Sequence, residues 1–108
     1  MPGFVDLQVN GFAGVDFLTA EPDEYAKAGA ALAGAGVTAF QPTLISAPPE
    51  TLLAVLERGP AAAERSPIRL LGFHLEGPFL SIERRGAHPV EHLRDPDPAL
   101  AEELVAAG

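Results

Sequence analysis

Three short runs rich in apolar, β-branched or aromatic residues, at about 3–10, 37–46 and 68–76, alternate with two stretches of helical periodicity, at about 22–35 and 49–64. Runs separated by a helix cannot pair through a tight hairpin; they pair in parallel through right-handed crossovers. The sequence therefore predicts an α/β fold built from three consecutive strand-helix units.

The helical assignments rest on pattern and punctuation. Tyr25, Ala28, Leu32 and Ala35 recur at helical spacing, Asp23 and Glu24 sit in the first turn where anions suit the helix dipole, and Gly34 and Gly36 mark the exit. Pro48-Pro49-Glu50 opens the second helix, whose apolar face carries Leu52, Leu53, Val55 and Leu56; it continues past a break signal at Gly59-Pro60 through Ala61-Ala62-Ala63. The run from Val37 to Ser46 contains Pro42, where a strand is expected to bend or finish. Gly11-Phe12-Ala13-Gly14-Val15-Asp16-Phe17 reads as a tight loop leaving the first strand, and its glycines do not form a dinucleotide-binding fingerprint. Beyond a loop at about 77–92, Asp95-Pro96-Asp97-Pro98 forms a turn, and a short helix over about 98–107 is marginal without packing partners.

Composition excludes several function classes. The 15 acidic residues against 7 basic ones give a formal charge of -8 with no basic stripe, which disfavours a nucleic-acid partner. Zero cysteines rule out disulfides and thiolate metal sites. No apolar stretch approaches the roughly 18 residues of a membrane span and no charged leader opens the chain, so the expectation is a soluble, cytoplasmic protein without a membrane partner. At 108 residues there is room for one small domain, against the roughly 250 of a complete barrel of eight strand-helix units.

The chemistry concentrates at strand ends. His74-Leu75-Glu76-Gly77-Pro78-Phe79 puts a carboxylate just before a glycine-proline break, and alternation along a strand sends His74 and Glu76 to one face. Glu76 is either a metal-holding carboxylate or a cap on the following segment. In the first run, alternation places Asp6, Gln8 and Asn10 on one face and Val5, Leu7 and Val9 on the other, so three hydrogen-bonding side chains stand where a core strand normally shows aliphatics. Gln8 and Asn10 are either amides satisfied by backbone at the sheet's end or direct members of a site. His74 reads as a neighbour of the site or a core residue rather than a ligand, while Arg84, Arg85 and His92 read as solvated charges.

Pro2-Gly3-Phe4-Val5-Asp6-Leu7-Gln8-Val9-Asn10-Gly11, His74-Leu75-Glu76-Gly77-Pro78-Phe79 and Arg85-Gly86-Ala87-His88-Pro89, in that order, resemble the N-acetylglucosamine-6-phosphate deacetylases of the amidohydrolase superfamily, from Pro2 to about Pro89. The resemblance implies the first three strand-helix units of a (β/α)8 barrel, with residues 1–108 forming part of that domain. It implies that Glu76 is a ligand of a single divalent ion, Zn²⁺ or Fe²⁺, and that Ala87 and His88 contact the sugar phosphate. Gln8 and Asn10, with His74, then stand at the barrel mouth or behind the ligands. Many amidohydrolases carry two histidines where Gln8 and Asn10 stand, and their absence favours one metal over two. The implied reaction is hydrolysis of the N-acetyl group of N-acetylglucosamine 6-phosphate to glucosamine 6-phosphate and acetate, by a full-length enzyme that is a homodimer. The catalytic aspartate and two metal-binding histidines of the family have no counterpart in these residues, so the chain is expected to be an inactive barrel fragment by itself. Two other readings stay open: a non-catalytic remnant or interaction module completed by another chain, and a different, dihydroorotase-like amidohydrolase, which Gln8, Asn10 and the Glu76-Gly77-Pro78 sequence oppose.

Overall fold

A computed structural model describes residues 2–108. Its framework is a parallel sheet in which β4 (Val37–Leu44) is central, β1 (Phe4–Val9) lies along one side, and β5 (Arg69–Leu70) and β6 (His74–Leu75) lie in succession along the other. Helices α1 (Pro22–Gly34), α2 (Pro49–Glu57) and α3 (Gly59–Arg65) make the crossovers, and α4 (Pro98–Ala107) follows the long loop. The chain is thus a mixed α/β fold with parallel strands.

Three local departures from the sequence reading have physical causes. The third run is not one strand: Gly72, at φ 93°, breaks it between β5 and β6, and the Gln41 Nε2 amide donates to the Phe73 carbonyl across the gap at 3.4 Å. Opposite this gap lies Pro42, which has no N–H to donate. On the other side of Pro42 the β1 pairing also slips, between Asp6 and Val9. The strand runs two residues past the proline and finishes at Leu44, and both neighbouring ladders are irregular where the donor is missing. The second helix is two helices, α2 and α3, meeting at Arg58. The glycine-rich loop after β1 is a hairpin, β2 (Gly11–Phe12) against β3 (Val15–Asp16), turned through Ala13 and Gly14, both at positive φ. Two central residues with positive φ match the right-handed twist of the flanking strands.

The core lies between β4 and the helices. Phe17, Tyr25 and Phe40 are fully buried, with ring centroids 5.3 Å apart for Phe17 and Tyr25 and 6.0 Å for Phe17 and Phe40. Phe73, freed from the ladder by the Gly72 break, meets the Tyr25 ring edge-on at 6.4 Å. Offset and edge-on contacts of this kind contribute about 0.5–1.5 kcal/mol beyond burial. The α1 residues Tyr25, Ala28 and Leu32 are buried as their spacing predicts, and the helix opens with the Glu21 N–H donating to the Glu24 carboxylate at 2.8 Å. Gly29, also buried, lets α1 approach Ser66 and Pro67; a methyl there would sit 2.7 Å from the Ser66 hydroxyl. The terminal helix finds its partners: Asp97 caps it through the N–H groups of Ala99 and Leu100, and Leu100 and Leu104 are buried where α4 lies against α2. Asp16 takes a structural part as well, its carboxylate accepting from the Leu18 N–H at 2.9 Å.

No helix among the described residues is long and apolar enough to cross a membrane.

Candidate functional site

Parallel strands bring their C-terminal ends to one edge of a sheet, and here those ends carry Asn10 after β1, Ser46 after β4 and Glu76 after β6. The Glu76 N–H donates to the Leu44 carbonyl at 2.9 Å, so sheet pairing fixes the backbone of the carboxylate. Asn10 and Glu76, 66 positions apart, are joined by one side-chain bond, the Asn10 Nδ2 amide donating to Glu76 Oε2 at 3.0 Å.

His88 reaches the same place from the loop. Its ring is buried, with a side-chain exposure of 5%, and Nε2 lies 3.5 Å from Glu76 Oε1, whose carboxylate is 34% exposed. On the ring's other side, the Ser46 N–H donates to Nδ1 at 3.0 Å and the Ser46 hydroxyl lies 2.8 Å from that nitrogen. Arg85 holds the loop backbone, its guanidinium donating to the His88 carbonyl at 3.0 Å. Gly77 is the counterpart of this packing, because a methyl at Gly77 would collide with the Ser46 hydroxyl. The glycine after Glu76 is therefore required by side-chain space rather than by its backbone angles.

The environment favours the ionised carboxylate. The Asn10 amide holds the Glu76 carboxyl below its ordinary value of 4.5, opposed by partial burial and reinforced by His88 and then by the more distant His74. An ionised, partly exposed carboxylate with hard oxygen donors suits one position in the coordination sphere of a divalent cation. Among the described residues no group of three or more His, Asp or Glu converges to complete such a sphere. Asn10, Glu76, Arg84, Arg85, Ala87 and His88 line an open cavity of about 460 Å³, large enough for a small polar ligand.

The structure brings together Asn10, Glu76 and His88 of the residues the sequence singles out, with Ala87 beside them on the cavity wall. His74 stands one step back, with Nδ1 3.2 Å from the Thr43 hydroxyl. Gln8 is not drawn in: it is exposed on the edge strand, and its backbone N–H donates to the Asp6 carboxylate at 3.1 Å. Arg85 is not the free solvated charge that its sequence suggests, since it ties down His88. Ser46 is a site member the sequence reading misses. The available signal was positional: a hydroxyl two residues past the end of a central strand, at the same edge of the sheet as Asn10 and Glu76.

Comparisons with known proteins find deacetylases of N-acetylated amino-sugar phosphates. No family model matches the chain. A human N-acetylglucosamine-6-phosphate deacetylase is 43% identical over 97% of this chain and 27% of its own length. An N-acetylgalactosamine-6-phosphate deacetylase from Escherichia coli O157:H7 is 36% identical over 97% of this chain and 28% of its own. Among solved structures, an N-acetylglucosamine-6-phosphate deacetylase from Thermotoga maritima superposes with a TM-score of 0.85 at 35% identity, covering 95% of this chain and 28% of that one. A mutant of the Mycobacterium smegmatis enzyme in complex with N-acetyl-D-glucosamine-6-phosphate superposes at 0.87 and 39% identity, covering 98% of this chain and 27% of that one. Over nearly its whole length the chain is a homologue of the N-acetylglucosamine-6-phosphate deacetylases, and it spans about a quarter of the length of the relatives it matches.

Proposed function

We propose that this chain supplies the first strand-helix units of a (β/α)8 barrel, residues 1–108 with the loop at 77–92 at the active site, in an enzyme that deacetylates N-acetylglucosamine 6-phosphate. The observation that carries the reading is the convergence of Asn10, Glu76 and His88 at the C-terminal strand ends, where barrels of this architecture place their catalytic groups. The substrate named for the Mycobacterium smegmatis complex supports the sugar phosphate, and the related name of the Escherichia coli protein keeps its galacto epimer as the nearest competitor.

In this reading Glu76 holds a divalent ion, Zn²⁺ or Fe²⁺. Bound there, the ion would polarise the acetamido carbonyl and acidify water. Asn10 keeps the Glu76 carboxylate ionised and turned toward the cavity. His88 offers a buried imidazole to a substrate oxygen, Ala87 leaves the cavity wall free of side-chain bulk, and the cationic loop residues Arg84 and Arg85 favour an anionic substrate. Water adds to the amide carbon, the carbon–nitrogen bond breaks, the amine leaves protonated, and acetate and glucosamine 6-phosphate result. The family resemblance assigns the remaining histidine ligands and the proton-accepting aspartate to other strands, and assigns the complete enzyme a cytoplasmic homodimer.

The test joins this chain to the remaining portion of the Mycobacterium smegmatis relative. The hybrid is expected to release acetate from N-acetylglucosamine 6-phosphate in a metal-dependent manner, while the 108-residue chain alone releases none. A correctly folded, metal-loaded hybrid without activity overturns the reading, and so does metal-dependent turnover by the chain alone.

A further inference from the structure

Ser46 lies outside the sequence-derived site, yet its side chain is almost fully buried, with 1% residue exposure, and both of its polar donors face one ring nitrogen of His88. We infer that Ser46 is a positioning residue that fixes His88 as the Nε2–H tautomer, so that the imidazole presents a proton donor to the cavity. This inference rests on the deacetylase reading for its chemical consequence but not for its geometry.

A backbone N–H can only donate, so its 3.0 Å approach to Nδ1 requires a lone pair on that nitrogen. The Ser46 hydroxyl, 2.8 Å away, then donates to the same lone pair, and the ring proton is left on Nε2. Nε2 is the atom on the cavity side, 3.5 Å from Glu76 Oε1. With its proton there, His88 can hydrogen-bond a carbonyl or phosphoryl oxygen of a ligand and cannot accept a proton at that atom. Gly77 leaves room for this arrangement, since any side chain at Gly77 would collide with the Ser46 hydroxyl beside the ring. Partners that orient a metal-ligating imidazole from behind alter metal affinity or activity about 10–100-fold when removed, and an effect of the same order is expected for an imidazole that orients a substrate.

The primary test needs no catalytic activity. Long-range proton–nitrogen correlation spectra of the 108-residue chain at alkaline pH, where imidazoles are neutral, distinguish the two tautomers, and three histidines make assignment direct. The expected result is a bare Nδ1 and protonated Nε2 at His88. An Nδ1–H form donating to the Ser46 hydroxyl overturns the inference, as does averaging over both forms. In the hybrid enzyme, Ser46→Ala is expected to lower kcat/KM about 10-fold with metal content unchanged, and Ser46→Thr, which keeps the hydroxyl, to restore it. Wild-type kinetics for an active Ser46→Ala hybrid also overturn the inference. A hybrid inactive even with Ser46 in place counts against the deacetylase reading alone, because the tautomer spectrum stands without it.

Discussion

The Asn10 side-chain amide donates to the Glu76 carboxylate at 3.0 Å, joining the end of the first strand to the end of the last across 66 residues. Because this bond leads the causes that lower the Glu76 carboxyl, Asn10→Ala is expected to raise it toward 4.5, as read by carboxyl-carbon NMR titration. The sign for stability follows. A carboxyl that binds its proton less tightly in the fold contributes stability above pH 4.5, and that contribution disappears as pH falls through the lower, folded value. The difference between wild type and Asn10→Ala should therefore be present at neutral pH and vanish in acid. The carboxylate is partly exposed, so solvent screening keeps the difference under about 1 kcal/mol. An unchanged Glu76 titration in the variant contradicts this account of the pair.

Gly77→Ala tests the packing around Ser46. The added methyl meets the Ser46 hydroxyl inside contact distance, in a region where Ser46 and Pro78 are fully buried. Overpacking of this kind costs about 1–3 kcal/mol. Denaturant unfolding is the measurement, with the His88 ring resonances expected to shift in parallel. A Gly77→Ala chain of wild-type stability shows that the site is looser than described.

Tyr25 gives a spectroscopic handle on the core, since it is the one tyrosine in a chain without tryptophan. Burial pushes its phenol from 10.0 up to about 12, with Arg58 opposing and Glu24 adding to the shift. The folded state holds this proton more tightly than the unfolded chain. Stability is then complete below pH 10.0 and falls as pH rises toward about 12. Phenolate absorbance should appear late in the native chain and at its ordinary pH under denaturing conditions. An ordinary titration under native conditions means that the Phe17, Tyr25 and Phe40 cluster is not formed.

Among the described residues strand β1 pairs with β4 on one side only, and it exposes Phe4 at 72%, Val5 at 57% and Leu7 at 61%. An apolar edge with free backbone groups templates association. The 108-residue chain is expected to self-associate with its Tyr25 core intact, and Leu7→Lys is expected to shift it toward monomer in light scattering. A monodisperse wild-type monomer at high concentration contradicts this.

Much of the architecture was legible because it depends on local pattern. The spacing of Tyr25, Ala28 and Leu32 marks the buried face of α1, and the alternating helices and apolar runs predict the parallel sheet. The split of the third run was not legible, because Gly72 reads the same in a continuous strand as at a break; what decides it is Pro42, a missing donor on a neighbouring strand. The site divides similarly. Glu76 and Asn10 were visible as polar residues at strand ends, whereas Ser46 and Arg85 act through His88, and only the folded loop brings them to it. Gln8 shares a strand face with Asn10 in the sequence pattern, but the slip in pairing between Asp6 and Val9 separates their environments.

The central claim is that Glu76 holds the catalytic cation while His88 contacts substrate, and metal analysis beside kinetics separates the two roles. In the hybrid enzyme, Glu76→Gln keeps size and hydrogen-bonding reach but removes the negative charge, so metal content and turnover should be lost together. His88→Ala should keep metal near the wild-type level while lowering kcat/KM by about 10-fold or more. A Glu76→Gln hybrid with full metal occupancy and a normal rate contradicts the account.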